Sequence, residues 1–241
     1  RSVSCLGDAD HDFARDFAGG PRARPRIRLS FRAVVSLAMA IDRGSLDRAV
    51  DEAAPELSWL ALRLHEHPEL AYEEHRACGW IAESLTRAGI EVEREVGGVA
   101  TAFRARAGSG KGPRIAILAE YDALPGIGHA CGHNLIAAGA VGAFLALARH
   151  AEELPGAVEL IGTPAEEGGG GKIRLLDAGA FRGVAAAMMY HPYDRDILAH
   201  PALATVRIAL GYRGAPAHAA IAPWGGSSAV TACMETIRLL R

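Results

Sequence analysis

Cysteine is scarce in this chain. Cys5, Cys78, Cys131 and Cys233 are the only four in 241 residues, and no two form a C-x-x-C pair. That excludes the dense disulfide framework of small secreted domains and reads as a reducing, cytoplasmic setting. An excess of charge of either sign is missing too: 26 Lys and Arg stand against 28 Asp and Glu, a net charge of -2. Such a balance offers no electrostatic footprint for a nucleic-acid backbone. No apolar run reaches the ~18 to 20 residues of a membrane span, so neither nucleic acid nor membrane is expected as a partner. Half of the residues are hydrophobic, enough for a sizeable core at this length.

Residues 1–46 differ from the rest. The stretch "GGPRARPRIRLSFR" is basic and broken by Gly and Pro, and the short apolar "AVVSLAMA" follows it. Basic residues before an apolar stretch also fit a signal or transit segment, but the expectation adopted is a disordered or non-native extension. From there the pattern is regular. "PELSWLALRLHEHPELAYEEHRACGWIAESLTRAGI" predicts two amphipathic helices broken at His67-Pro68, and "IEVEREV" with "VATAFRARAG" predicts a strand pair. "RIAILAEYD", "AVELIG" and "VAAAMMYHP" read as strands buried on both faces. "LIAAGAVGAFLALARH" reads as a buried helix and "KIRLLDAGAF" as a short one. Strands alternating with helices give an α/β fold with a mainly parallel sheet over residues 47–200. "HPALATVRIALGYRG" then predicts a half-exposed strand and "SSAVTACMETIRLLR" a helix, so residues 201–241 start a second, smaller α+β domain.

Ligands of open α/β sheets gather outside the carboxyl ends of the strands. Three predicted strand ends carry polar groups there: Asp122 with the His129, Cys131, His133 cluster, then Glu166 and Glu167, then His191. Thiolate, imidazole and carboxylate are the donors that zinc and neighbouring divalent metals take. Cys131 and His133 lie two apart near the start of the buried helix, whose dipole favours a thiolate, and Asn134 is a candidate N-cap. His129 is either a supporting residue or a plain loop residue. The adjacent Glu166 and Glu167 allow one carboxylate to bind metal while the other serves as general base. A phosphate-binding P-loop fails, because Glu166 stands where its first Gly belongs and Ile173 follows the lysine.

"HPELAYEE", "AEYDALPGIGHACGHNLIAAG", "PAEEGGGGK", "MMYHP" and "GYRGAPAHAA" occur in one order. In that order and spacing the chain resembles the amidohydrolase branch of the zinc aminoacylase and carboxypeptidase metallopeptidase family, over about residues 50–241. The branch includes aminobenzoyl-glutamate hydrolases, indoleacetyl-amino-acid hydrolases and an aminoacylase-like dipeptidase group. The resemblance implies a zinc-peptidase-like catalytic domain followed by a lid or dimerisation domain, with a homodimer formed through the lid. It implies Cys131, His133, Glu167 and His191 as metal ligands, Glu166 as general base, and His218 as a lid residue that helps hold the oxyanion. Two zinc or manganese ions and a small amide or dipeptide substrate go with that assignment.

Family members continue past a complete lid and supply a final histidine ligand with no counterpart before residue 241. The resemblance therefore implies a truncated chain, and the rival expectation is an inactive fragment or pseudoenzyme that binds metal or a partner. A second rival is a metal-free hydrolase with Cys131 as nucleophile.

Overall fold

The computed structural model describes residues 41–109, 111–197 and 208–240. Helix α1 spans Arg43–Glu66, α2 His75–Arg87, α3 His133–Ala148 and α4 Gly171–Asp177. Strands are β1 (Val92–Arg94), β2 (Phe103–Gly108), β3 (Arg114–Ala119), β4 (Ala157–Gly162) and β5 (Val184–Met188). The chain divides between Tyr193 and Asp194 into two units. Most of the expected extension, residues 1–40, lies outside the described residues, and α1 begins before the expected boundary at residue 47. Its N-cap is Asp42, whose carboxylate accepts the Gly44 and Ser45 amides. The helix ends at Glu66, ahead of Pro68.

The five strands form one mixed sheet in the order β1-β2-β4-β3-β5. β1, β2 and β4 run antiparallel in turn, whereas β4, β3 and β5 are parallel neighbours. The parallel half places three successive strand ends side by side. Both faces of the central strands are covered. Leu60, Leu64, Ile81, Leu85, Phe103, Ile117, Val141, Phe144 and Leu160 fill the core under α1, α2 and α3. Val96, Ala102, Ala116, Ile161 and Leu175 fill the opposite side. Consecutive residues Ala116 and Ile117, or Leu160 and Ile161, belong to opposite cores, as the two-residue period of a strand requires.

β5 departs from the sequence expectation of a fully buried strand. Among the described residues it pairs with β3 alone, and Ala185–Met188 are exposed. A run of Ala and Met has the same pattern at the edge as in the middle of a sheet, so periodicity could not separate the two. Among the described residues no helix is long and apolar enough to cross a membrane.

Glu159 is the one charged residue of β4 and is fully buried. Its Oε1 accepts Arg106 Nε of β2 at 2.9 Å and Arg114 Nη1 of β3 at 2.9 Å, so one carboxylate staples three strands. Glu159→Gln removes the charge but keeps the shape. Because Arg106 is partly exposed and its charge screened, we expect a loss of about 1–3 kcal/mol. Urea unfolding at pH 7 measures it, and an unchanged midpoint would refute the staple.

The second unit is described over residues 194–197 and 208–240. Its helix α5 spans Ala229–Leu239, capped by the Ser228 hydroxyl on the Thr231 amide. Before it, Ala215 and Ser227 exchange backbone hydrogen bonds. The expected strand at 200–214 falls largely outside the described residues, and residues 208–213 are not strand.

Candidate metal centre

Each of the three parallel strands hands its polar residues to one place. β3 ends at Ala119 and is followed by Glu120, Tyr121 and Asp122, all buried. β4 ends at Gly162 and leads through Thr163, Pro164 and Ala165 to Glu166 and Glu167. β5 ends at Met188 and leads to His191, which is exposed.

Cys131 and His133 arrive from the loop between β3 and α3. They converge through a sharp turn and not through extended backbone: Gly132 adopts φ 83, a left-handed conformation, and forms the N-cap of α3. A Cβ at this glycine would meet the Pro192 ring at 3.0 Å, so the turn also fits closely against the segment carrying His191. Asn134 does not cap the helix as expected. It lies inside the first turn of α3, and its amide donates to the Ala61 carbonyl of α1 at 3.1 Å.

His133 is the centre of the constellation and is fully buried. Its Nδ1 faces the Asp122 carboxylate at 3.0 Å and the Asp122 carbonyl at 2.9 Å. Two acceptors fix the proton on Nδ1 and leave the Nε2 lone pair free to bind. Among the described residues the buried Nε2 has no hydrogen-bond partner. Around it stand Glu120 at 3.4 Å, Glu167 at 3.7 Å and Glu166 at 3.8 Å. The Cys131 Sγ and His191 Nε2 are 3.6 Å apart. One ligand atom each from Cys131, His133 and His191 fall within 4.8 Å of one another, and Glu120, His133 and Glu166 make a second such group. A buried imidazole lone pair without a donor, ringed by carboxylates and a thiol, fits a divalent cation in chemistry and in charge.

The electrostatics follow from that crowding. Burial pushes the Asp122 carboxyl up, yet the bonds from His133 and the Glu167 amide together hold it below the usual carboxylate range. Burial lowers His133, but the Asp122 bond and charge and the charges of Glu167 and Glu166 raise it above its ordinary value. Glu166 is raised by burial and then by the adjacent Glu167 charge, which suits a group that must hold a proton briefly. The expected dipole effect on Cys131 does not prevail. Burial, then the bond and charge of Glu167, push the thiol up to about 11. Burial leads, the carboxylates of Glu167, Glu166 and Asp122 add to it, and a neighbouring cation would favour the thiolate.

Of the remaining expected residues, His129 is buried but belongs to neither ligand group. Burial, with the charges of His133 and His65, lowers it to about 4, so it is neutral at pH 7. His218 belongs to the second unit and is exposed there. Its Nδ1 accepts the Ala220 and Ile221 amides, each at 3.3 Å, which leaves Nε2–H as its donor.

Two residues of the site went unread in the sequence. Glu120 is buried beside His133 and forms an ion pair with Lys172, whose amine burial lowers to about 8. The acidic residue closing the apolar run of β3 was the available signal for Glu120. Lys172 drew notice only as a failed P-loop lysine.

The family model described as peptidase family M20/M25/M40 matches residues 116–236, from the middle of β3 into α5. The chain belongs to this family. It is 43% identical to the Xaa-Arg dipeptidase of Mus musculus, over 77% of this chain and 46% of that protein. It is 35% identical to one of the polypeptides of the p-aminobenzoyl-glutamate hydrolase of Escherichia coli (strain K12), over 78% and 43%. Among solved structures it is similar to the YXEP protein of Bacillus subtilis, a dinuclear metal binding peptidase from the M20 family. There the TM-score is 0.51 and the identity 33%, over 61% of this chain and 43% of that one. The chain thus spans less than half the length of these curated relatives.

Proposed function

We propose that this M20 chain carries the greater part of the catalytic centre of a metal-dependent amidohydrolase or dipeptidase. The observation that carries the reading is the buried His133 Nε2, which among the described residues has no hydrogen-bond partner and lies amid carboxylates at the meeting point of three parallel strand ends. Cys131, His133, Glu167 and His191 are the proposed ligands of zinc or manganese, two divalent ions in the complete enzyme. When bound, such ions polarise the scissile carbonyl and make water more acidic.

The chain's own residues do the rest. Glu166 takes a proton from the attacking water as its oxygen bonds to the carbonyl carbon, and returns that proton to the nitrogen as the C–N bond breaks. Asp122 holds the Nδ1 proton of His133 and so keeps Nε2 as the ligating atom. His218, through Nε2–H, is the proposed donor to the oxyanion.

Residues 47–200 are the proposed catalytic part and 201–241 the start of a lid through which two subunits pair in the cytoplasm. The relatives' names support substrates built as N-acyl amino acids or dipeptides, including those that end in arginine.

The 3.6 Å approach of Cys131 Sγ to His191 Nε2 gives the thiol-nucleophile reading one observation of its own. A thiol pushed up to about 11 is a poor nucleophile at pH 7, so the metal reading is preferred. Chelation separates the two. The protein is assayed on a panel of dipeptides and N-acyl amino acids before and after dialysis against a chelator, with metal content measured in parallel. Activity should vanish with the metal and return with zinc or manganese. Hydrolysis that survives complete metal removal would favour the thiol, and no hydrolysis of any panel member by the metal-loaded complete enzyme would remove the amidase reading.

A further inference from the structure

The turn that carries Glu166 and Glu167 has an unusual conformation at its root. Ala165 is fully buried and adopts φ 58, a left-handed backbone that L side chains rarely take. Left to itself, an alanine there would relax. Three bonds from other elements oppose this. The Ala165 amide donates to Glu74 Oε1 at 2.8 Å, and the Glu167 amide donates to Asp122 Oδ2 at 2.9 Å. The Tyr72 hydroxyl donates to the Gly169 carbonyl. The Ala165 carbonyl closes the turn by accepting the Gly169 and Gly171 amides at 3.1 and 3.3 Å. A Cβ on Gly169 would come within 2.5 Å of the Tyr72 ring, so turn and ring are in direct contact.

Two of the three restraints come from one short segment, the "ELAYEE" between α1 and α2. That segment also grips the strand-end loop of β3, because the Glu69 carbonyl accepts the Ala123 amide at 2.8 Å. Glu74 is wholly buried and accepts on both oxygens, from Ala165 and from the Thr101 hydroxyl at 2.8 Å. Burying a carboxylate is unfavourable unless it is fully bonded. Burial pushes the Glu74 carboxyl above its ordinary range despite the bonds it receives. An apolar side chain would fill the space at lower cost but could not accept the Ala165 amide.

We propose that Glu74 is a positioning residue: by accepting the Ala165 N–H it fixes the left-handed turn that aims Glu166 and Glu167 at His133 Nε2. Tyr72 secures the far end of the same turn. The inference rests on the hydrolase reading for its kinetic consequence, but not for its structural one.

The test compares three variants with the wild type in the metal-loaded protein. In Glu74→Gln the amide oxygen accepts from Ala165 while the amide nitrogen donates to the Thr101 oxygen, so the turn is kept. Glu74→Met fills the space and accepts nothing. Tyr72→Phe removes one hydroxyl from a half-buried ring. Metal content, kcat and KM are measured, together with hydrogen exchange of the Ala165 and Glu167 amides.

Glu74→Met is expected to lower kcat by roughly 10- to 100-fold per bound metal, with KM little changed and exchange at Ala165 faster. Glu74→Gln should stay within about 3-fold of wild type, because the acceptor geometry is retained. A merely stabilising Glu74 would instead lower the melting temperature and leave kcat per bound metal intact in Glu74→Met, and that result overturns the proposal. So does a Glu74→Gln loss as large as that of Glu74→Met. Should Glu74→Met fail to fold, Tyr72→Phe decides: lower kcat at constant KM supports the clamp, and wild-type kcat overturns it. If the wild type hydrolyses nothing, the hydrolase reading falls alone. Faster Ala165 exchange in Glu74→Met but not in Glu74→Gln then sustains the positioning role, and equal exchange ends it.

Discussion

Replacing Glu166 by Gln should lower kcat by about 100- to 10,000-fold, the usual contribution of a positioned general base, while the protein keeps its metal. The expectation follows from how the two adjacent carboxylates differ. Glu167 has its amide held by Asp122, lies 3.7 Å from His133 Nε2 and is the more buried of the pair. Glu166 is 44% exposed at its side chain, reaches 3.8 Å from the same nitrogen and is raised above its ordinary range by burial and by its neighbour's charge. It therefore faces solvent with a raised proton affinity. Gln has nearly the same shape and cannot take a proton. Steady-state kinetics with metal analysis is the measurement. Full activity in Glu166→Gln with unchanged metal would show that the base lies elsewhere, and parallel loss of metal would make Glu166 a ligand.

Asp122→Asn should weaken metal binding by about 10- to 100-fold, the range for residues that orient a metal-binding histidine. Asp122 uses both carboxylate oxygens as acceptors, one for His133 Nδ1–H and one for the Glu167 amide. An asparagine has one acceptor and one donor in those places. If its nitrogen faces Glu167, two N–H groups oppose each other and the turn carrying Glu167 is released. If it faces His133, the imidazole is pushed towards the tautomer with its proton on Nε2, which cannot ligate. Either way one proposed ligand is lost to the site. Competition with a chromophoric chelator gives the affinity directly, and wild-type affinity in Asp122→Asn would mean that His133 is oriented by the Asp122 carbonyl alone.

Four of the legible residues share one trait: each follows an apolar run within a few positions. Asp122, Glu166, Glu167 and His191 are strand-end residues, and a parallel arrangement of β4, β3 and β5 brings strand ends together whatever the loops do. Misread features depend on partners distant in the chain. Asn134 has the preference of a helix cap, but Ala61, 73 positions away, takes its amide. Cys131 has the setting of an activated thiol until its burial and the carboxylates at the end of β4 are taken into account. Glu74 bonds to a backbone amide 91 positions away, and no spacing rule reaches that far. Exposure of β5 is a matter of sheet order, which depends on which strands pair and not on their composition.

His191 is carried by that same edge strand, which among the described residues is the one of the three with no neighbour on its outer side. Cys131 and His133 sit at the root of α3, anchored in the interior of the first unit. An ion shared by these residues would act as a clasp between the fixed interior and a margin that pairs with the sheet on one side only, adding to the packing of Pro192 on Gly132. Cation affinity and the fraying of the sheet margin would then be two readings of one equilibrium.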